Sequence, residues 1–77
     1  MELNDFISKF ALQFDSEDPS VFTADTEFHD LESWSSYTSL SVVAMIIQEY
    51  GVELDSQDVR NADTIEELFE IVKERQQ

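Results

Sequence analysis

Leu3, Phe6, Ile7, Phe10, Ala11 and Phe14 recur at the spacing of a single α-helical face, and nowhere does the chain alternate apolar and polar residues long enough to make a strand. Positions i, i+3, i+4 and i+7 share one side of a helix because each residue advances it by about 100°. The pattern predicts a helix from Glu2 to Phe14, with Asn4, Asp5, Ser8, Lys9 and Gln13 off the buried stripe. In Ser36 to Tyr50, Leu40, Val43, Ala44 and Ile47 repeat that spacing, flanked by Tyr37, Ile46 and Tyr50. Gly51, the one glycine, follows directly, and its access to positive φ suits a residue that ends a helix. Ser56 to Asn61 reads as one or two helical turns, with Asp55 or Ser56 as N-cap and Val59 and Ala62 facing inward. Thr64 and Glu67 have capping-box spacing and open a last helix with Ile65, Leu68, Phe69, Ile71 and Val72 on its apolar face. Lys73 and Arg75 fall in its final turn, where positive charge suits the helix dipole.

The expected fold class is therefore all-α, a four-helix bundle of three longer helices and one short third helix, in a single domain spanning residues 1–77. The first connection, Asp15 to about Ser35, is long for a compact domain. It holds the one proline, Pro19, yet Val21, Phe22, Phe28, Leu31 and Trp34 can tie it to a core. A chain this short buries only roughly 60% of the surface its unfolded form exposes. With no cysteine to staple it, the fold must rest on the 42% of residues that are apolar, six of them Phe. Phe28, Tyr37, Leu40, Val43, Ala44, Ile47, Ile65, Leu68 and Phe69 are the expected core.

Eighteen acids against four bases leave a formal net charge of −14. Nucleic acid, which is bound through Lys and Arg, is excluded as a partner, and an anionic membrane surface is disfavoured. A strong negative field instead steers proteins with basic patches toward the chain, and it also keeps a small protein soluble and monomeric. No apolar run approaches the roughly 18 residues of a membrane span. Glu2 and Asp5 stand where a signal peptide would need basic residues, so a cytoplasmic monomer is expected.

Catalytic constellations are missing. His29 is a lone histidine in an acidic loop, read as a solvated side chain, with no second His and no Cys to make a nucleophile–base pair or a zinc site. A calcium loop begun at Asp15 would place Ser20 where the pattern needs Gly and Thr26 where it needs Glu. One glycine cannot make a Gly-rich phosphate loop. Elimination leaves a binder or carrier, not an enzyme.

Thr26-Glu27-Phe28-His29-Asp30-Leu31, Trp34-Ser35-Ser36-Tyr37, then Leu40, Val43, Ile46 and Glu49-Tyr50-Gly51-Val52 together resemble the acyl carrier protein family. In that family a Phe-x-x-Leu approach leads to a serine that opens the second helix and carries 4′-phosphopantetheine. The helix ends fourteen residues later at an aromatic followed by Gly. Counting back from Tyr50 gives Ser36, ahead of its competitors Ser33 and Ser35. Asp58-Val59 and the run from Thr64 to Leu68 match the family's short third helix and capped fourth. The resemblance covers Leu3 to Val72 and rests on the combined spacing. It implies a covalent 4′-phosphopantetheine on Ser36 and acyl cargo held as thioesters. It implies as partners a phosphopantetheinyl transferase and separate acyl-processing enzymes with basic docking patches, in fatty-acid, polyketide or related biosynthesis.

Two departures bear on this. Ser35 stands where the family usually has Asp, an acid expected to help the transferase place its metal and cofactor, and Tyr37 replaces Leu or Met. The face of the second helix opposite Leu40 and Ile47 holds Thr38, Ser41, Val42, Met45, Gln48 and Glu49, where the family usually has several acids. Ser35, Tyr37, Thr38, Ser41, Val42, Met45 and Glu49 are accordingly the expected partner-binding residues around Ser36. Two readings stand for Val42 and Met45: a partner-specific contact, or packing against the long loop. A competing function also stands, that of a carrier-like fold used as an unmodified acidic protein-interaction module.

Overall fold

Four α-helices form where the apolar periodicity puts them: α1 (Leu3–Ala11), α2 (Ser36–Tyr50), α3 (Ser56–Asn61) and α4 (Ile65–Arg75). The computed structural model describes residues 2–15 and 17–76, and among them there is no strand. α2 packs on α1 and α3, and α4 packs on the same two helices.

α1 turns Phe6 and Phe10 fully inward, with Leu3, Ile7 and Ala11 packed partly against the core. It ends three residues earlier than its apolar stripe. After Ala11 the chain tightens into i→i+3 bonds, with the Gln13 N–H on the Phe10 carbonyl (3.1 Å) and the Phe14 N–H on the Ala11 carbonyl (3.0 Å). This still delivers Phe14 to the core. Phe10 is the centre of an aromatic cluster, its ring 5.3 Å from those of both Phe14 and Phe28 and 6.1 Å from that of Phe22.

The long connection is bound to the helices along its length. Two short 3₁₀ turns, Pro19–Val21 and Phe28–Asp30, bury Phe22 and Phe28 on either side. The first N–H groups of α4 have no intrahelical partners. Ile65 donates to the Thr26 carbonyl at 3.2 Å and Glu66 to the Ala24 carbonyl at 3.0 Å, so the loop satisfies them. Ser33 Oγ donates to Glu17 at 2.8 Å and ties the end of the loop to its beginning. The radius of gyration, 11.1 Å, matches the ~11.5 Å of a compact chain of this length, which leaves no room for a trailing loop.

α2 buries the opposite side from the one its leading stripe suggests. Thr38, Val42, Met45 and Ile46 face the core, while Tyr37, Leu40, Ala44 and Ile47 are exposed and Val43 is half-buried. The expected core positions Tyr37, Leu40, Ala44 and Ile47 are thereby corrected, whereas Phe28, Ile65, Leu68 and Phe69 are buried. The cause is compositional: α2 is apolar on most of its circumference and carries no charge before Glu49, so periodicity alone does not select a face. Tertiary contacts select it instead. The Tyr50 ring lies 5.8 Å from that of Phe6, and Lys9 of α1 reaches Glu49 at 3.4 Å. Gly51 closes the helix in the left-handed region (φ 66°, ψ 22°) with its N–H on the Ile47 carbonyl.

α3 starts with a reciprocal capping box: Asp55 accepts from the Asp58 N–H, and Asp58 accepts from the Asp55 N–H. At α4, Thr64 accepts from the Glu67 N–H, while the Glu67 carboxylate accepts from the Asp63 N–H rather than from Thr64's. Arg75 grips Asp58 with both terminal nitrogens, at 2.9 and 2.6 Å, and so clamps the end of α4 to α3. The Arg75 hydrogen bonds hold the Asp58 carboxyl below its ordinary value of 3.8. A carboxyl depressed on folding stabilises the fold above its ordinary pKa and loses that contribution as pH falls through the folded value. The stability gap between the protein and Arg75→Gln is therefore expected to hold at neutral pH and to narrow as pH falls below 3.8 and through the lower folded value. Urea melts of both proteins across that range measure it; a gap that does not narrow as pH falls below 3.8 would contradict the clamp. Taking the difference removes the relief of acid–acid repulsion, which is common to both.

Candidate functional site

The loop-to-helix junction at the start of α2 divides two tasks between neighbouring serines. Ser35 has extended backbone (φ −152°, ψ 174°), and its Oγ accepts the Thr38 N–H at 3.2 Å, so Ser35 is the N-cap. Thr38 Oγ1 in turn donates to the Ser33 carbonyl at 3.2 Å and fixes the last bend of the loop. Ser36 is thus the first residue of the helix proper. It is exposed, and its hydroxyl makes no hydrogen bond among the described residues. A serine occupied as a cap would offer no such free hydroxyl. The start of a helix also favours a negative group through its unpaired N–H groups and its dipole.

A recess of about 440 Å³ opens beside Ser36, between α2 and α3. Ser36, Ser39 and Leu40 line it from α2, Val59 and Arg60 from α3, and His29 and Trp34 from the loop. His29 is not the solvated side chain its acidic neighbours suggest. Its Nε2 lies 3.1 Å from the Val59 carbonyl and 2.9 Å from the Ala62 carbonyl, so Nε2 carries a proton and pins α3 to the loop. Its ring packs on Phe28 at 4.4 Å and meets Trp34 edge-on at 5.2 Å. Nothing in the sequence signals this role, because it depends on carbonyls some thirty residues away.

The partner-binding positions separate by exposure. Ser35, Tyr37 and Glu49 are on the surface, and Ser41 is half-buried. Thr38, Val42 and Met45 are buried at 7, 0 and 7% exposure, so the side of α2 that carries Val42 and Met45 is not the exposed strip that a partner-specific contact there would need. Glu49 is engaged with Lys9. In their place the surface of α2 shows Tyr37, Leu40, Ala44 and Ile47, an apolar strip that begins beside Ser36. No charged side chain occurs from Ser33 to Gln48, so this is a neutral window in a chain of net charge −14. That gap in the charge was the readable signal for the strip.

A larger groove, about 860 Å³, runs between α1 and the first loop, with Leu3, Ile7 and Phe14 on one wall and Pro19 and Phe22 on the other. It shares no lining residue with the recess at Ser36. Among the described residues no group of three His, Asp or Glu converges as a metal site, and no helix is long and apolar enough to cross a membrane. Comparison of the chain with known protein families, with characterised proteins and with solved structures gives no match.

Proposed function

We propose that this protein is an acyl carrier that takes 4′-phosphopantetheine on Ser36 and presents acyl groups to separate enzymes. The observation that carries the reading is the division of labour at the start of α2: Ser35 supplies the cap, and the Ser36 hydroxyl is left exposed and unbonded. The spacing from Ser36 to Tyr50-Gly51, the short third helix and the long packed first loop support it, as does a recess at the attachment point.

Loading would proceed by attack of Ser36 Oγ on the pantetheine-side phosphorus of coenzyme A. The new Oγ–P bond forms as the bond to the adenosine bisphosphate breaks, the hydroxyl proton passes to a base of the transferase, and adenosine 3′,5′-bisphosphate leaves. Free N–H groups at the start of α2 favour the phosphate once it is in place. The arm supplies a thiol, which this cysteine-free chain lacks, to hold acyl groups as thioesters. Partner enzymes would meet the neutral strip of Tyr37, Leu40, Ala44 and Ile47, with the surrounding acids steering basic surfaces toward it over long range.

Ser35 in place of the usual Asp favours a second reading, an unmodified acidic interaction module. Incubation with coenzyme A and phosphopantetheinyl transferases of broad range separates the two by intact mass. The carrier gains one phosphopantetheine, and Ser36→Ala gains none; an unchanged mass with every transferase supports the module.

A further inference from the structure

Arg60 is one of only four cations in the chain, and it lines the same recess as Ser36. Two of the others are engaged: Lys9 pairs with Glu49 at 3.4 Å and Arg75 with Asp58 at 2.6 Å. Arg60 makes no ion pair or hydrogen bond among the described residues, although the protein carries eighteen acids. An unpaired guanidinium beside a recess wall free of acids is poised for an anion that the folded chain does not itself provide. The recess has no carboxylate in its lining, and the α2 wall belongs to the charge-free window from Ser33 to Gln48.

We propose that Arg60 is the positioning residue for a phosphate ester on Ser36 Oγ, so that attachment of the phosphate ties α3 to the start of α2. The inference builds on Ser36 as the attachment point. Guanidinium matches phosphate oxygens with a planar fork of N–H donors. His29 holds the α3 wall in position through its bonds to the Val59 and Ala62 carbonyls. Without Arg60 the phosphate would add negative charge to a chain already at −14 with only the helix start to receive it. With Arg60 the same group becomes a link between two helices.

The chemistry is that of any phosphate ester on this hydroxyl, whether the diester of phosphopantetheine or the monoester of phosphoserine, and two arms of one experiment tell them apart. In the first arm the protein and Arg60→Gln are loaded from coenzyme A by a transferase. In the second, phosphoserine is placed at position 36 of both by genetic encoding. Thermal melting of all four modified proteins, and of their two unmodified parents, gives the coupling between position 60 and the phosphate as a double difference. That difference cancels any purely structural effect of the Arg60 change. The expected coupling is about 1 to 4 °C in Tm in favour of the pair, and it shrinks as salt is raised. In the phosphoserine arm, ³¹P NMR titration is expected to place the second phosphate ionisation lower in the protein than in Arg60→Gln, with Arg60→Lys restoring part of the shift. A coupling of zero together with superimposable ³¹P titrations overturns the role of Arg60, even if loading on Ser36 succeeds. Failure of loading with coupling intact in the phosphoserine arm sinks the carrier reading and supports the subsite for a phosphomonoester.

Discussion

Val42→Asp is expected to unfold the protein at room temperature, whereas Ile47→Asp, which adds the same charge on the same helix, is expected to leave it folded. Val42 is fully buried among apolar side chains, while Ile47 is 44% exposed. An aspartate at position 42 has no cation to meet and must either ionise in an apolar core or stay protonated without a partner, at a cost of several kcal/mol. A 77-residue domain has roughly 4 to 12 kcal/mol of stability in total. At position 47 the carboxylate reaches water, and the change falls within about 1 kcal/mol. Far-UV circular dichroism and urea melts compare the two. Because both variants carry one extra negative charge, repulsion within the acidic chain affects them alike. A folded Val42→Asp beside an unfolded Ile47→Asp would restore the face that the Leu40, Val43, Ala44, Ile47 stripe suggests and would refute the orientation of α2.

Phe10→Ala is the second change of large expected effect. Its ring is wholly buried and touches the aromatic neighbours that tie α1 to the first loop: Phe14, Phe22 and Phe28. Truncating a buried phenylalanine costs about 3 to 5 kcal/mol through lost transfer energy and the cavity left behind. For a domain of this size that lowers Tm by ~15 °C or more. Because three of this cluster's rings anchor the start and middle of the loop, its amides near Phe14 and Phe22 should lose protection from hydrogen exchange before those of α4. A Tm within ~5 °C of the parent would mean that the loop does not depend on this cluster.

These two residues mark where sequence reasoning succeeds and where it stops. α1 was legible because its polar residues, Asn4, Asp5, Ser8 and Lys9, leave one apolar stripe, and Phe10 sits on it. The termini of α2, α3 and α4 were legible because caps are local: Gly51, Asp55 and Thr64 act on backbone groups a few residues away. The face of α2 was not legible. Val42 and Ile47 have equal claims to the core when nearly every neighbour is apolar, and the choice is made by packing on α1 and α3, which are distant in sequence. The site divides in the same way. That Ser36 opens α2 was legible from the fourteen-residue count back from Tyr50, but its release from capping duty depends on the backbone of Ser35. The exposure of Leu40 and the bonds of His29 to α3 depend on tertiary packing alone.

The exposed strip on α2 is an uncharged apolar surface on a strongly acidic protein. On the proposed carrier reading, carboxylates on the loop and beyond α2 would supply long-range attraction, while Tyr37, Leu40 and Ile47 would offer apolar area at the point of contact. Charge sets the rate of encounter, and buried apolar anchors set how long a complex lasts. A strip that begins beside Ser36 would hold a partner enzyme next to whatever that serine carries.

The most direct measurement is fragmentation mass spectrometry of the intact protein after incubation with coenzyme A and a broad-range phosphopantetheinyl transferase. Serines 33, 35, 36, 39 and 41 crowd the start of α2, so the fragment ions must bracket each bond. One phosphopantetheine confined to Ser36 is the predicted result. A group carried by Ser35 or Ser39, or no group with any transferase while the protein stays folded, would contradict the carrier account.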